Sequence, residues 1–446
     1  MSIASTTSSI RAAIAERDLD EASGLLLAQS ESDTTQILYD LPRDSRAIAF
    51  RLLPKEESLR VFESFDSSFQ KELVSLLRET EVAEVFESLD PDARVGLMEE
   101  LPAKVAKRLM MQLSPTERDM TAIILGYPVG SAGRRMTPAY LHLHHNDSVS
   151  EALTKVRREQ PGSTAIYSIP VLDHGRIVVG AVEVQALLTA QEDELVGSLT
   201  EAKVFAVADQ DAERAARACL DAKLSAIPIV DTENRLVGVL PLADAAQIID
   251  ADHTKDAARA GGTEPLRRPY LHTRVVTLTR SRIVWLLVLA VSAILTVNVL
   301  EFFETTLEER VALALFIPLL TGIGGNTGSQ AATTVTRALA MGEAHLADVG
   351  RVAFKEARTG FLMGSLLGLL GWAVASLIYG PDIGAVIGLT LVAVCTMAAS
   401  VGGTMPIIAQ SLRVDPAVFS TPFISTFCDA TGLIIYFNIA RAILNL

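Results

Sequence analysis

The chain has 446 residues, 49% of them apolar and only 5% aromatic, with a formal net charge of −14 and a mean hydropathy of +0.32. At about 150 residues per domain that length excludes one small compact fold. The averages also mix two populations, because residues 1–282 hold 32 Lys and Arg against 43 Asp and Glu, and residues 283–446 hold only 7 against 10. The acidity excludes nucleic acid as a main partner, since phosphate binding needs a basic surface. Cys219, Cys395 and Cys428 have no pairable or metal-ligating spacing, which points to a reducing compartment and no disulfide.

The opening residues, MSIASTTSSIRAAIAERD, lack the apolar core of a signal peptide, so the charged part of the chain is expected to be cytoplasmic. From Leu41 an apolar residue recurs every twelve positions, at Leu41, Leu53, Phe65, Leu77, Leu89, Leu101 and Leu113, and most are followed at once by Pro or Asp. Such pairs stop one helix and start the next. An α-helical repeat superhelix built of helices two to three turns long is therefore expected over residues 1–133. Its acids Asp90, Asp92, Glu99 and Glu100 form either a regulatory cation site or a solvated helix face.

Two segments then match at a spacing of 58, IPVLDHGRIVVG from Ile169 and IPIVDTENRLVG from Ile227. Each reads as strand, tight turn and strand, followed by a helix (184–188 and 242–249) and preceded by another (149–158 and 212–222). Over residues 134–249 they resemble tandem cystathionine-beta-synthase (CBS) domains, α/β modules that sense ligands and often bind adenosine nucleotides. The resemblance implies an ATP contact at Asp244, where nucleotide-binding members place an acid on ribose. Pro241 stands where Ser or Thr is usual, however, and the first copy, GAVEVQA, has no matching Asp. His142, His144, His145 and Asp147 carry donors for a transition metal, although alternating His on an edge strand is commonly polar surface.

Residues 250–282 read as a connecting helix and linker, DADHTKDAARAGG followed by the basic PLRRPYLHTR. Five apolar stretches come next, 283–300, 311–335, 359–379, 383–412 and 422–444, each long enough to cross about 30 Å of hydrocarbon. Residues 283–446 are thus expected to form an all-α membrane domain of five transmembrane helices. Arg267, Arg268, Arg274, Arg280 and Arg282 precede the first span, Arg337, Arg351, Lys355 and Arg358 lie between the second and third, and Arg413 lies between the last two. The loop after the first span carries Glu301, Glu304, Glu308 and Glu309 with one Arg. Basic loops belong in the cytoplasm, which puts the C-terminus outside. Gly364, Gly368 and Gly371 in the third span and Gly384 and Gly388 in the fourth permit close helix packing.

In the second span Asn326, Gln330, Thr333 and Arg337 share one helical face, beside a row of small residues, Pro318, Gly322, Gly325 and Ser329. No Lys-Ser/Thr follows these glycines and no strand precedes them, so they are not a phosphate loop. The fourth span adds Thr396, Ser400 and Thr404, and the fifth aligns Ser425, Asp429, Gly432 and Tyr436. A carboxylate in mid-span costs about 3 kcal/mol on insertion scales and marks an ion path by default. Only Arg337 and Arg441, near span ends, offer Asp429 an ion pair. Oxygen ligands and retained water suit magnesium. Two copies of Asp429 across a shared pore would repel each other in a way that a divalent ion relieves best.

The order of parts resembles the MgtE family of magnesium channels over nearly the whole chain. Its strongest signatures are FIPLLTGIGGNTGSQ, residues 316–330, and DPAVFSTPFISTFCDATGLIIYF, residues 415–437. The resemblance implies a homodimer in the inner membrane, with a pore formed by spans two and five and an ion site at Asp429. Gly325, Asn326, Gly328, Gln330, Thr421, Ser425 and Gly432 would line it. Cytoplasmic domains would close it when magnesium is plentiful, through Asp90, Asp92, Asp231, Asp244, Asp250, Asp252 and Asp256. Lys255 stands where the family commonly has an acid, so altered gating affinity is expected. The expected function is a magnesium-selective channel rather than an enzyme. The alternatives are a carrier of magnesium or cobalt and a membrane-anchored CBS sensor without transport.

Overall fold

The computed structural model describes residues 3–158, 168–200, 204–266, 269–412 and 421–445. Arg267, Arg268, Arg413 and the 415–420 part of the last signature lie outside the described residues. By internal contacts the chain forms two units, Met1–Asp252 with Arg267–His272, and His253–Leu266 with Thr273–Leu446.

The first unit opens with short helices: α1 Ile3–Glu16, α2 Leu19–Leu27, α3 Glu31–Asp40, α4 Arg43–Arg51, α5 Lys55–Glu63, α6 Ser67–Val74, α7 Glu79–Ser88, α8 Pro91–Glu100, α9 Ala103–Gln112 and α10 Pro115–Leu125. The twelve-residue apolar positions explain them. Leu41, Leu53, Phe65, Leu89 and Leu113 are buried in one continuous core, while Leu77 and Leu101 pack partly buried against it. Leu41 and Leu101 end α3 and α8 with ψ of 142° and 151°. A residue before proline is pushed to that extended region by the proline ring.

The structure adds a second period that the leucines hide. Arg46 Nε, Gln70 Nε2 and Arg94 Nε each donate to the carbonyl eight residues back, Leu38, Phe62 and Phe86, at 2.9, 2.8 and 2.9 Å. Arg118 Nη2 donates to the Leu113 carbonyl, five residues back, at 3.0 Å. These residues stand 24 apart, so the repeating unit is a helix pair, and one long side chain per pair caps carbonyls that a helix end leaves unsatisfied.

After the short helix α11 Ala132–Arg135 come the two CBS copies. The first contains β1 Leu143–His144, α12 Val149–Arg158, β2 Ser168–Leu172, β3 Val178–Glu183 and α13 Val184–Thr189. The second contains β4 Ala206–Val207, α14 Ala212–Asp221, β5 Ala226–Val230, β6 Leu236–Pro241 and α15 Leu242–Ala260. Each sheet has a parallel pair, β1–β2 or β4–β5, and an antiparallel hairpin, β2–β3 or β5–β6. Ser168↔Glu183 and Ala226↔Pro241 pair in the same register, with an irregularity at the same place, Val171/Leu172 and Ile229/Val230. The spacing of 58 is thus a structural duplication. In both turns one Asp holds the loop: Asp173 Oδ1 accepts from the N–H of Gly175 and Ile177, and Asp231 Oδ1 from that of Glu233 and Arg235. Arg176 and Asn234 sit at φ of +62° and +61° in these turns. The helix after the second hairpin does not stop near residue 249; it runs unbroken to Ala260, so connecting helix and CBS helix are one element.

The second unit has five helices among the described residues long and apolar enough to cross a membrane. They are α16 Val275–Phe302, α18 Ile317–Ala340 preceded by a 3-10 stretch Val311–Phe316, α19 Val349–Tyr379, α20 Pro381–Ser411 and α21 Thr421–Leu444, with a short α17 Glu304–Glu309 after the first. Helix α20 is central and touches α18, α19 and α21. Its hydroxyls bond their own helix, Thr396 to Val392 O, Ser400 to Thr396 O and Thr404 to Ser400 O, at 2.6, 2.7 and 2.8 Å. Glycine ladders set the close approaches: a Cβ on Gly364 would lie 2.8 Å from Val392 Cα, and one on Gly368 2.6 Å from Gly388 O. Helix α16 instead presents Leu286, Leu287, Val291 and Leu295 outward, the surface expected of a lipid-facing or partner-facing helix.

Candidate functional site

The membrane site is built where α18 meets α21. Gly325 faces Ser425, whose Cβ would lie 3.3 Å from a Cβ placed on Gly325. A Cβ placed on Gly328 would lie 2.9, 3.0 and 3.3 Å from Cys428 Sγ, Ile424 Cγ2 and the Ala398 carbonyl, and one on Gly402 of α20 would meet the backbone of Gly328 itself. Only hydrogen fits at these positions, which is why the signature is rich in glycine. Gly432 is buried, with Val394 at 3.5 Å from its would-be Cβ. One turn beyond Ser425 stands Asp429, half-exposed, with no hydrogen bond or ion pair to any described residue. Neither arginine reaches it. Arg337 is exposed, and Arg441 gives its Nε to Thr306 Oγ1 at 2.9 Å and stacks on Phe303 at 4.6 Å.

Asn326, Gln330 and Thr333 are all exposed on α18, a polar face within a membrane helix that one chain leaves uncovered. The small row beside it divides: Gly325 and Ser329 are buried, but Pro318 and Gly322 are exposed and nothing lies within 4 Å of a Cβ on Gly322. Tyr436 also leaves the expected polar face. It is fully buried and its hydroxyl donates to Leu313 O at 2.9 Å, so it braces the fold rather than a passage. Thr421 begins α21, and its side chain lies outside the described residues.

Sequence reasoning missed Glu356, a second carboxylate on the helices of the membrane domain. The third helix starts at Val349 rather than near residue 359, which brings Glu356 onto it, with its Cγ 2.6 Å from a Cβ placed on Gly403 of α20. The charged residues Arg351, Lys355 and Arg358 around it masked the helix, because hydropathy reports lipid contact and not helix length.

In the first unit four carboxylates crowd together: Glu63 ending α5, Asp90 and Asp92 opening α8, and Asp244 opening α15. Desolvation and then the charges of Asp90, Asp92 and Asp244 push Glu63 up to about 7. Desolvation and then Asp244 and Asp90 push Asp92 up to about 7. Asp244 rises to about 6 through desolvation and Asp90, against Arg135. Asp90 is raised by desolvation against Arg94. Burial is thus the first cause in each case, and repulsion among the carboxylates adds to it at Glu63, Asp92 and Asp244. Glu63 escaped sequence reasoning because nothing along the chain ties it to Asp244.

The other predicted acids are spread out. Asp252 hydrogen-bonds Glu213, whose carboxyl is raised by desolvation and by Asp252, with Arg217 opposing. Two bonded carboxyls need a proton or a cation between them. Asp250 is exposed, and Asp256 is half-buried one turn beyond Asp252. Asp231 is committed to its turn. Among the described residues no three His, Cys, Asp or Glu side chains converge to coordinate one ion directly. The histidine set is engaged in other contacts: Asp147 Oδ2 accepts from the His144 main-chain N–H at 2.8 Å, and the His145 ring packs on His174 at 5.6 Å. The acidic cluster therefore suits an ion that keeps its water shell, as magnesium does.

Residues 317–439 match the divalent cation transporter family MgtE, residues 29–130 the MgtE intracellular N domain, and residues 129–193 and 196–251 the CBS domain. A magnesium transporter MgtE of Bacillus subtilis is 27% identical over 418 residues, 93% of this chain and 92% of that protein. Among solved structures, the cytosolic domain of the Mg2+ channel MgtE in complex with ATP is 26% identical and covers 54% of this chain and 99% of its own, with a TM-score of 0.51. The magnesium transporter MgtE of Thermus thermophilus is 32% identical over 445 residues, 98% of each chain. Helical repeat, CBS pair and membrane helices thus stand in one shared order, and the chain belongs to the MgtE family, whose curated relatives are magnesium transporters and not enzymes.

Proposed function

We propose that this protein is a magnesium channel of the inner membrane, open to Mg2+ moving down its electrochemical gradient and closed by Mg2+ on its cytoplasmic domains. The observation that carries the reading is Asp429, a carboxylate unpaired among the described residues and one turn from the tight contact of α18 and α21. The exposed Asn326, Gln330 and Thr333 supply the rest of a polar wall, and a second copy of the chain closes it. Two Asp429 carboxylates then face one hydrated divalent ion, and the negative-inside potential adds about 2.3 kcal/mol per charge per 100 mV.

Closure follows from the cytoplasmic carboxylates. Repulsion among Glu63, Asp90, Asp92 and Asp244, and between Glu213 and Asp252, disfavours the compact first unit until Mg2+ screens it. Asp231, Asp250 and Asp256 add to the cation atmosphere at longer range. Asp244 is engaged in this cluster, so cation sensing is its role here ahead of a ribose contact with ATP. The basic residues Arg280, Arg282, Arg351, Lys355 and Arg358 support an orientation with the N-terminal unit in the cytoplasm and the C-terminus outside.

Recording single-molecule currents from the purified full chain in a bilayer, with graded Mg2+ on the cytoplasmic side, tests both halves. Discrete steps that vanish as Mg2+ rises are expected. Flux without steps would make it a carrier, and no Mg2+ flux in vesicles would leave the CBS sensor.

A further inference from the structure

We propose that His272 is a positioning residue that ties the chain entering the first membrane helix directly to the helical repeat, so that the repeat domain controls conduction without passing only through α15. This rests on the channel reading above.

His272 ends the 3-10 turn Tyr270–His272, in the part of the connector that belongs to the first unit. In that turn Tyr270 and Leu271 are 62% and 85% exposed, whereas the His272 side chain is only 15% exposed. Its ring lies on α3. It stacks on Tyr39 at 5.1 Å and 15°. Its Nε2 is 2.9 Å from Gln36 Nε2 and 3.6 Å from Asp40 Oδ1. The Nε2 edge of the imidazole thus meets both Gln36 and Asp40, and its face meets Tyr39.

Two facts make this contact a transmission point. The first is reach: Val275, the first residue of α16, lies three residues on, and three residues span at most about 10 Å. A larger displacement of α3 must move the start of α16 or break the His272 contact. The second is a hydrogen-bonded link from the acidic cluster to the same helix. Ser64, next to Glu63, bonds Thr35 on α3 hydroxyl to hydroxyl at 2.8 Å, and Thr35 adjoins Gln36. Asp66 accepts from the Tyr39 hydroxyl at 2.8 Å on the adjoining turn. A cation that steadies Glu63 and its neighbours thereby steadies the surface on which His272 docks, and the docked connector belongs to the closed channel.

The test is a double-mutant cycle on the full chain in bilayers, reading the cytoplasmic Mg2+ concentration that halves the current. His272→Ala is expected to raise that concentration about fivefold to tenfold, the worth of one hydrogen bond and a ring contact, with unitary conductance unchanged. His272→Phe keeps the stack and should shift it less. Gln36→Ala added to His272→Ala should shift it no further. An unchanged midpoint in both His272 variants, or full additivity with Gln36→Ala, overturns the proposal while leaving the channel intact. Wild-type currents indifferent to cytoplasmic Mg2+ overturn the gating reading itself and this coupling with it.

Discussion

Carboxylates are arranged in opposite ways in the two units. In the first, Glu63, Asp90, Asp92 and Asp244 are gathered from three helices into a crowd whose members raise one another. In the second, Asp429 stands apart with no bonded partner among the described residues. The difference follows from solvation. Water at the rim of this domain tolerates several partly desolvated anions close together. At membrane depth each charge is costly, so a carboxylate kept there without a partner among the described residues marks a candidate site.

The largest effect should come from the solitary acid. Asp429→Ala is expected to lower Mg2+ flux on the order of a hundredfold or more, since a charge pair at 4 Å near a protein surface is worth about 4 kcal/mol. Reconstituted 28Mg uptake measures it, and retained flux would equate the two kinds of site. Spreading the same loss over the crowd should do less. Glu63→Gln with Asp92→Asn and Asp244→Asn is expected to move the closing Mg2+ concentration between about tenfold and a hundredfold without altering conductance, at roughly 0.5–1 kcal/mol per screened charge.

The crowd should also answer to protons. Glu63 and Asp92, pushed up to about 7, and Asp244, pushed up to about 6, lie above ordinary carboxylate values, so protons favour the compact unit and that contribution is lost as pH rises through 7. In EDTA, protease resistance of the cytoplasmic part of the full chain should fall between pH 6 and pH 8. Saturating Mg2+ should flatten that slope; an equal slope with and without Mg2+ would mean the acids are not the cation site.

The smallest effects separate packing glycines from spare ones. Gly402→Ala drives a methyl into the Gly328 backbone and should cost about 1–3 kcal/mol, read as a lower unfolding temperature in detergent. Gly322→Ala meets open space and should leave that temperature unchanged. A reversal would redraw the contact between α18 and α20.

Much of this architecture was legible along the chain. The twelve-residue leucines, the 58-residue duplication, the five apolar stretches and the isolation of Asp429 are local patterns, set by helix period, strand alternation and the cost of exposing charge to lipid. The 24-residue series Arg46, Gln70, Arg94 and Arg118 was equally present and was hidden by the stronger leucine signal. Other features had no such signature. That Glu63 joins Asp244, that Tyr436 turns inward to Leu313, that Glu356 rides on the third helix and that His272 docks on Tyr39 all depend on which surfaces meet. Sequence fixes periodicity and solvation cost residue by residue. Proximity between groups tens to hundreds of residues apart is a sum over the whole packing, and only the folded chain decides it.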